Sequence, residues 1–167
     1  FVSDKKFSAK SAILATGAQA RWLEVPGEKK LIGRGVSSCA PCDAPFFRNK
    51  NVIVAGGGDA AMEEALALTK FAKAVTIVHR RNEFRASKIM LERARRNPKI
   101  NFIVNAIVTE ILGNEKVESV KFKNLKTGEE KEFACDGVFV AIGHLPATSI
   151  FAGQIDLDEK GYVKVSD

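Results

Sequence analysis

The chain has 167 residues, 46% of them hydrophobic and 28% charged, a balance typical of a globular protein with one sizeable core. No apolar run approaches the roughly 20 residues that cross a membrane, so we expect no membrane association. The net charge of +6 would suit a nucleic-acid partner. Much of it lies in residues 80–99, however, beside the nucleotide motif described below, and we expect no nucleic-acid binding.

The first predicted elements are a strand and a loop. Residues 11–15 form an apolar run that predicts a strand, ending in a turn at Thr16-Gly17. Proline and glycine breakers make residues 21–36 loop-like, and a Cys-x-x-Cys motif follows. The chain opens on Phe1, and its last residues directly follow a strand-like run at 162–165. We therefore expect the chain to be part of a longer protein.

The middle of the chain alternates strands with helices. Short apolar runs predict strands at residues 51–55 and 74–78, with a helix over 59–73 between them. A second helix is predicted over 84–96, where Asn97-Pro98 ends it. This part therefore reads as a βαβ unit followed by another helix.

Strands dominate the remainder. Strand-like runs are predicted at residues 100–111, 117–125, 132–135 and 138–143, with a turn at Thr127-Gly128. This order of elements predicts an α/β fold class, a Rossmann-like doubly wound parallel sheet with an antiparallel β insertion.

A glycine motif connects the first strand of the βαβ unit to its helix, and it reads Gly56-Gly57-Gly58-Asp59-Ala60-Ala61. The first glycine permits a tight turn, Gly58 lets a pyrophosphate approach the backbone, and Ala61 lets the helix pack on the strand. Free N–H groups at the helix start would face the phosphate oxygens. Because the flanking elements fit, the motif predicts a dinucleotide site.

The end of the second strand indicates which dinucleotide is bound. An NAD site commonly has a carboxylate here, which accepts hydrogen bonds from the ribose 2′-hydroxyl. This chain has His79-Arg80-Arg81 and then Arg85 instead. Guanidinium groups bind a 2′-phosphate, so the sequence favours NADPH over NADH. A basic surface turn is the alternative, and His79 could equally just end the strand.

Cys39-Ala40-Pro41-Cys42 has the spacing of an intracellular redox pair that cycles between dithiol and disulfide. Asp43 adjoins the second sulfur and is a candidate proton donor or acceptor if its pKa is raised. Two free thiols in a loop remain the alternative.

The third cysteine, Cys135, is predicted to be a buried small hydrophobe rather than a reactive thiol. His79 and His144 are scattered along the chain, too far apart in sequence to suggest a zinc site with any cysteine. We therefore expect no metal.

Together these residues resemble the low-molecular-weight thioredoxin reductases of bacteria, archaea and plants. The matching stretches run along nearly the whole chain in the family's order, and they are residues 35–43, 56–65, 79–86, 139–144 and 161–163.

The resemblance implies a mechanism and a set of roles. Electrons pass from NADPH through FAD to the Cys39–Cys42 disulfide and then to thioredoxin. Cys42 faces the flavin, Cys39 attacks the thioredoxin disulfide, Asp43 handles the proton, and Glu63 lies near the nicotinamide. A helix-dipole role is the plain alternative for Glu63.

The resemblance also implies domains and a homodimeric enzyme. Residues 1–20 and 147–167 are expected to be flanks of an FAD domain, and residues 21–146 the NADPH-binding domain with the redox pair. Thr16-Gly17 resembles the flavin-proximal turn, and Ile142-Gly143 belongs to a matched motif expected to contact cofactor.

Three departures from the family matter. The FAD domain's own glycine motif and its closing Gly-Asp segment are absent, and Pro41 and Ala44 replace Thr and Gly near the cysteines. We therefore expect this chain to bind little FAD, to be inactive towards thioredoxin alone, and to be monomeric.

Other functions remain open at this point. A related flavin disulfide reductase could serve another carrier, and a standalone NADP-binding redox module or a thioredoxin-like oxidoreductase is conceivable. The cysteine spacing favours a cytoplasmic location.

Overall fold

The computed structural model describes residues 7–165, and the chain divides into two compact units. The larger unit is Ala20–Gly143, and the described residues on either side of it along the chain, 7–19 and 144–165, belong to the other. Domain limits at 1–20, 21–146 and 147–167 stay a prediction. Residues 1–6 and 166–167 of the predicted flanks lie outside the described residues.

The helices and strands in chain order are β1 (Ala18–Ala20), α1 (Glu28–Leu31), β2 (Val36–Ser37), α2 (Ala40–Asp43), β3 (Asn51–Gly56), α3 (Asp59–Leu68), β4 (Ala74–His79), α4 (Lys88–Arg95), β5 (Ile100–Val104), β6 (Ala106–Leu112), β7 (Ser119–Asn124), β8 (Glu130–Ala134), β9 (Gly137–Ala141) and β10 (His144–Pro146). Short 3₁₀ turns lie at Ala44–Phe47 and Ser149–Phe151. The larger unit holds a five-stranded parallel sheet in the order β2-β9-β3-β4-β5 and an antiparallel sheet in the order β6-β7-β8. Both predicted sheets are therefore present.

Alternation along β3 shows how the parallel sheet is covered on both faces. Val52 and Val54 belong to a buried cluster with side chains of α3, among them Met62 and Leu68. Ile53 instead belongs to a second cluster, with side chains of the antiparallel sheet. Because successive strand residues point to opposite faces, one face carries helices and the other carries the β insertion.

Both predicted helices are shorter in the structure. α3 ends at Leu68 rather than near residue 73, and the Lys99 ammonium donates to the Thr69 and Ala72 carbonyls beyond it, at 2.8 and 3.0 Å. α4 begins at Lys88 rather than at 84, because the residues before it hydrogen-bond to the glycine turn described below. Helical periodicity predicts Ile89 on the apolar stripe of this helix with Met90 and Ala94, and this prediction is wrong, because Ile89 is 72% exposed.

Some strand and loop predictions also need correction. Residues 100–111 form two strands rather than one, because Asn105 has a left-handed φ of 54° that ends β5. The loop-like stretch 21–36 contains the short helix α1 and the start of β2. Residues 11–15 form no strand, and no described strand pairs with them. Residues 162–165 contribute only an isolated bridge between Leu157 and Val163.

Outside the larger unit, Gly17 has a φ of 72°, which favours glycine, and its carbonyl accepts a hydrogen bond from the Ala147 N–H at 3.0 Å. Thr16 and Gly17 are both exposed. Their predicted place near a flavin stays a prediction.

Candidate functional site

A cleft of about 780 Å³ opens within the larger unit, where β3, β4 and β9 end. The carboxyl ends of parallel strands meet at one edge of a sheet, which is the usual place for a ligand in such folds. Most of the predicted nucleotide contacts line this cleft, namely Gly56, Gly57, Gly58, Asp59, Ala60, His79, Arg80, Arg81, Arg85, Ile142 and Gly143.

The three glycines of the turn have different surroundings. A Cβ at Gly56 would lie 2.9 Å from the Cβ of Ala61, and one at Gly57 would run into the ring of His79. A Cβ at Gly58 would meet nothing within 4 Å. Close packing therefore requires the first two glycines, whereas Gly58, which lines the cleft, has open space around its Cβ position.

Residues 80–87, which carry the three arginines and are called the arginine loop below, are hydrogen-bonded to the glycine turn and to the start of α3. The carbonyl of Gly57 accepts hydrogen bonds from the N–H groups of Arg85 and Ala86, at 2.8 and 3.2 Å. One carboxylate oxygen of Asp59 accepts the N–H of Ser87 at 2.7 Å. These bonds join the segment after β4 to the start of α3, so both parts of the cleft are held in one geometry.

Three guanidinium groups converge on this cleft without competing acidic partners. Arg80, Arg81 and Arg85 are exposed, and among residues 7–165 none of them forms an ion pair. Their charge is therefore available to an anionic ligand.

The redox pair lies elsewhere in the larger unit, and neither cysteine lines the cleft. Cys39 and Cys42 form a disulfide across the first turn of α2, with Cys39 half-buried and Cys42 exposed. Asp43 directly follows Cys42, and its N–H donates to the Cys39 carbonyl at 3.1 Å, which closes the turn that holds both cysteines. The predicted redox residues thus lie apart from the predicted nucleotide contacts that line the cleft.

Comparisons with known proteins assign the chain to a family. The model of the pyridine nucleotide-disulphide oxidoreductases matches residues 2–167. The chain belongs to this family. Pyridine nucleotide-disulphide oxidoreductases use nicotinamide and flavin cofactors in general, and the cleft and the disulfide are features that such chemistry needs.

Relatives of this chain include the thioredoxin reductase of Mycolicibacterium smegmatis, 56% identical over 98% of this chain and 53% of the relative. The bifunctional thioredoxin reductase/thioredoxin of Mycobacterium leprae (strain TN) is 54% identical over 95% of this chain and 35% of the relative. The crystal structure of Lactococcus lactis thioredoxin reductase (FR conformation) superposes with a TM-score of 0.91 and 47% identity, covering 99% of this chain and 55% of that one. The chain spans about half the length of the curated relatives it matches. The resemblance and the fold class predicted from the sequence are confirmed.

Several residues that line the cleft were not predicted from the sequence. Arg21, Leu23 and Val25 line it, and the Arg21 N–H donates to the Gly143 carbonyl at 3.0 Å. Residues 106–109 of β6 also contribute to the lining. No local motif marks these positions, because they reach the cleft only through the folding of distant segments.

Glu28 was not predicted either, although its carboxylate holds the segment that contributes Leu23 to the cleft. It is 1% exposed, and its two carboxylate oxygens accept the N–H groups of Leu23 and Glu24 at 2.8 and 2.7 Å. A buried carboxylate that accepts backbone hydrogen bonds fixes a loop. Glu63, by contrast, is exposed and does not line the cleft, and its predicted place near the nicotinamide stays a prediction.

Cys135 is 5% exposed, as predicted, and burial raises the pKa of its thiol to about 12. Such a thiol is a poor nucleophile. Within residues 7–165, no group of three or more His, Cys, Asp or Glu side chains could hold a metal ion. No helix in that range is long and apolar enough to cross a membrane.

His79 forms part of the floor under the arginines. Its ring is buried, its Nε2 lies 3.1 Å from the Glu83 carbonyl oxygen, and it stacks on Phe84 with ring centroids 5.0 Å apart. Burial lowers the pKa of His79 below its ordinary 6.5, and the charges of Arg80 and Arg81 lower it further, against the raising effect of the Glu83 carbonyl.

A pH dependence of stability follows from His79. Because its pKa is lower in the folded state, the unfolded chain binds more protons below pH 6.5. The contribution of His79 to the free energy of unfolding is therefore complete above 6.5 and is lost as the pH falls through the folded-state pKa. Urea unfolding at several pH values should show this loss in the wild-type chain and less of it in His79→Gln. His144→Gln, at an exposed histidine, is the matched control. If the unfolding free energy of His79→Gln falls with pH as steeply as that of the wild-type chain, His79 is not the source of the loss.

Proposed function

We propose that the whole protein is an NADPH-dependent thioredoxin-disulfide reductase, a flavoprotein that passes electrons through FAD to the Cys39–Cys42 pair and then to thioredoxin. One observation carries the proposal. A single compact unit combines a glycine-turn cleft, lined by Arg80, Arg81 and Arg85, with a Cys-x-x-Cys disulfide. The relatives named thioredoxin reductase in Mycolicibacterium smegmatis and Streptomyces coelicolor, 56% and 53% identical, support thioredoxin as the partner.

The cleft residues fit a dinucleotide. The open side of Gly58 and the start of α3 would receive the pyrophosphate, because free backbone N–H groups at a helix start bind anions. The volume of about 780 Å³ lies within the range of pockets that hold cofactor-sized ligands. When bound, NADPH and FAD would supply the electron pair that the protein side chains cannot.

Arg80, Arg81 and Arg85 would hold the 2′-phosphate that distinguishes NADPH from NADH. Their exposure and freedom from ion pairs within the described chain suit a dianionic ligand, and the hydrogen bonds to Gly57 keep Arg85 beside the turn. The bonds between the two segments would let one ligand engage both at once.

Residues 39–42, called the disulfide turn below, would carry out the second half of the reaction, the transfer of electrons to thioredoxin. Exposed Cys42 would face the flavin, Cys39 would attack the disulfide of thioredoxin, and Asp43 would hold or release the proton. We also propose that residues flanking the larger unit belong to an FAD domain, that the whole enzyme is a cytoplasmic homodimer, and that this chain alone is inactive.

Calorimetric titration of the purified chain with NADPH, and separately with NADH, tests the nucleotide half of the proposal. NADPH is expected to bind with one site per chain, and NADH more weakly by at least about tenfold, because it lacks the phosphate that the arginines would bind. Equal affinities would contradict the assignment of the arginines. If neither nucleotide binds, the proposal that the cleft is a nucleotide site is contradicted.

A further inference from the structure

One side-chain hydrogen bond fastens the disulfide turn to the helix that starts at the cleft. A carboxylate oxygen of Glu64, on α3, accepts the N–H of Ala40 at 2.7 Å. Ala40 lies between the two cysteines in sequence, opens α2 and is completely buried. Glu64 is half-buried, so its charge is only partly screened by water.

Two backbone amides beside the Cys39 sulfur already have hydrogen-bond partners. Amide N–H groups near a cysteine at a helix start ordinarily lower the pKa of its thiol. Here the Cys39 N–H donates to the Ser37 hydroxyl at 3.0 Å, the Ala40 N–H donates to the carboxylate, and Pro41 has no N–H. Two of the nearest amides are thus occupied, one of them by a negative charge.

We propose that Glu64 is a positioning residue that biases the Cys39–Cys42 pair towards the disulfide. Reduction by an external dithiol breaks the Cys39–Cys42 bond and forms one in the reductant, and two electrons and two protons pass to the two cysteine sulfurs. A carboxylate bound to the amide of the next residue, Ala40, disfavours the thiolate form of reduced Cys39, whereas the disulfide carries no charge for it to repel. The inference rests on the proposed function, in which this pair is redox-active.

A bias towards the disulfide would favour the transfer of electrons from the reduced pair to thioredoxin. The reduced pair must give its electrons to a partner disulfide, and a dithiol that returns readily to its disulfide is the stronger reductant. Because the same helix begins at Asp59 in the cleft, Glu64 also ties the position of the disulfide turn to the nucleotide-binding element.

Glu64→Gln separates charge from position, since the amide oxygen can still accept the Ala40 N–H. The purified chain is equilibrated in buffers of reduced and oxidised dithiothreitol, alkylated and weighed by mass spectrometry. Alkylation rates of the reduced chain against pH give the thiol pKa. Cys135 is buried, so labelling of the folded chain reports the pair.

In Glu64→Gln, the equilibrium measured at a pH above the pKa of the attacking thiol is expected to move towards the reduced pair by roughly fivefold, the effect of one half-exposed charge, and that pKa is expected to fall. Glu92→Gln, at an exposed glutamate on α4, is the matched control and should behave as wild type. An unchanged equilibrium and thiol pKa in a folded Glu64→Gln chain overturn the proposal.

Glu64→Asp gives a second test should the glutamine variant fail to fold. Its shorter side chain draws the carboxylate back from Ala40, so the same two shifts are expected at smaller size, and their absence overturns the proposal. A wild-type pair that does not exchange with dithiothreitol at all would instead contradict the proposed function.

Discussion

With alanine at both Arg80 and Arg81, NADPH is expected to bind roughly a hundredfold more weakly, because two charge-assisted hydrogen bonds to a phosphate contribute about 3 kcal/mol together. NADH has a hydroxyl in place of that phosphate, so its affinity should change by less than about threefold. Both side chains are exposed and free of ion pairs within residues 7–165, and the variant should therefore fold as the wild type does.

Calorimetry at two salt concentrations measures the effect and identifies its origin. Removing two phosphate contacts should flatten the salt dependence of NADPH binding as well as weaken it. Arg93→Ala/Arg95→Ala is the matched control, because it removes the same charge from exposed positions on α4 outside the cleft. If the control variant loses as much affinity as Arg80→Ala/Arg81→Ala, the attraction is a property of the net charge and the cleft is not the phosphate site.

The parts of the site that sequence reasoning could find are those fixed by short segments. Gly56 ends β3 and Arg80 directly follows the neighbouring parallel strand β4, so a correct strand assignment is enough to bring them to one edge. The Cys-x-x-Cys spacing similarly fixes the closeness of two sulfurs within one helical turn.

Tertiary contacts explain what sequence reasoning missed. Residues 84–87 have helical composition, yet the Gly57 carbonyl takes the N–H groups of Arg85 and Ala86, and Asp59 takes that of Ser87. Those bonds delay α4 until Lys88 and convert the preceding residues into the arginine loop. Asp59 was predicted to contact the cofactor, and the structure gives it a second task as the anchor of that loop.

Long-range geometry also decides the position of Glu64. Nothing in the sequence around it indicates that its carboxylate meets Ala40, which is 24 residues away along the chain. The bond arises because α2 packs on α3, and the packing depends on small buried side chains such as Ala40 and Ala61. Periodicity indicates which residues are buried, but not which polar groups meet across two packed helices.

Two neighbouring glycines should respond to alanine in opposite ways. Gly58→Ala is expected to leave the free energy of unfolding nearly unchanged, because the residue has a φ of −99° and open space around its Cβ position. Its methyl group would, however, occupy the side from which a pyrophosphate approaches the backbone. Loss of one or two bonds to the phosphates should weaken NADPH binding roughly a hundredfold.

Gly57→Ala should instead destabilise the fold itself, by about 1–3 kcal/mol, since its Cβ would meet the buried ring of His79 and force the stack with Phe84 to shift. Urea unfolding and nucleotide titration of both variants separate the two effects. A Gly58→Ala chain that keeps wild-type affinity for NADPH would show that the ligand does not approach the turn, whatever the arginines contribute. A destabilised Gly58→Ala chain would show that the glycine serves folding, because a purely ligand-facing position leaves the unfolding free energy unchanged.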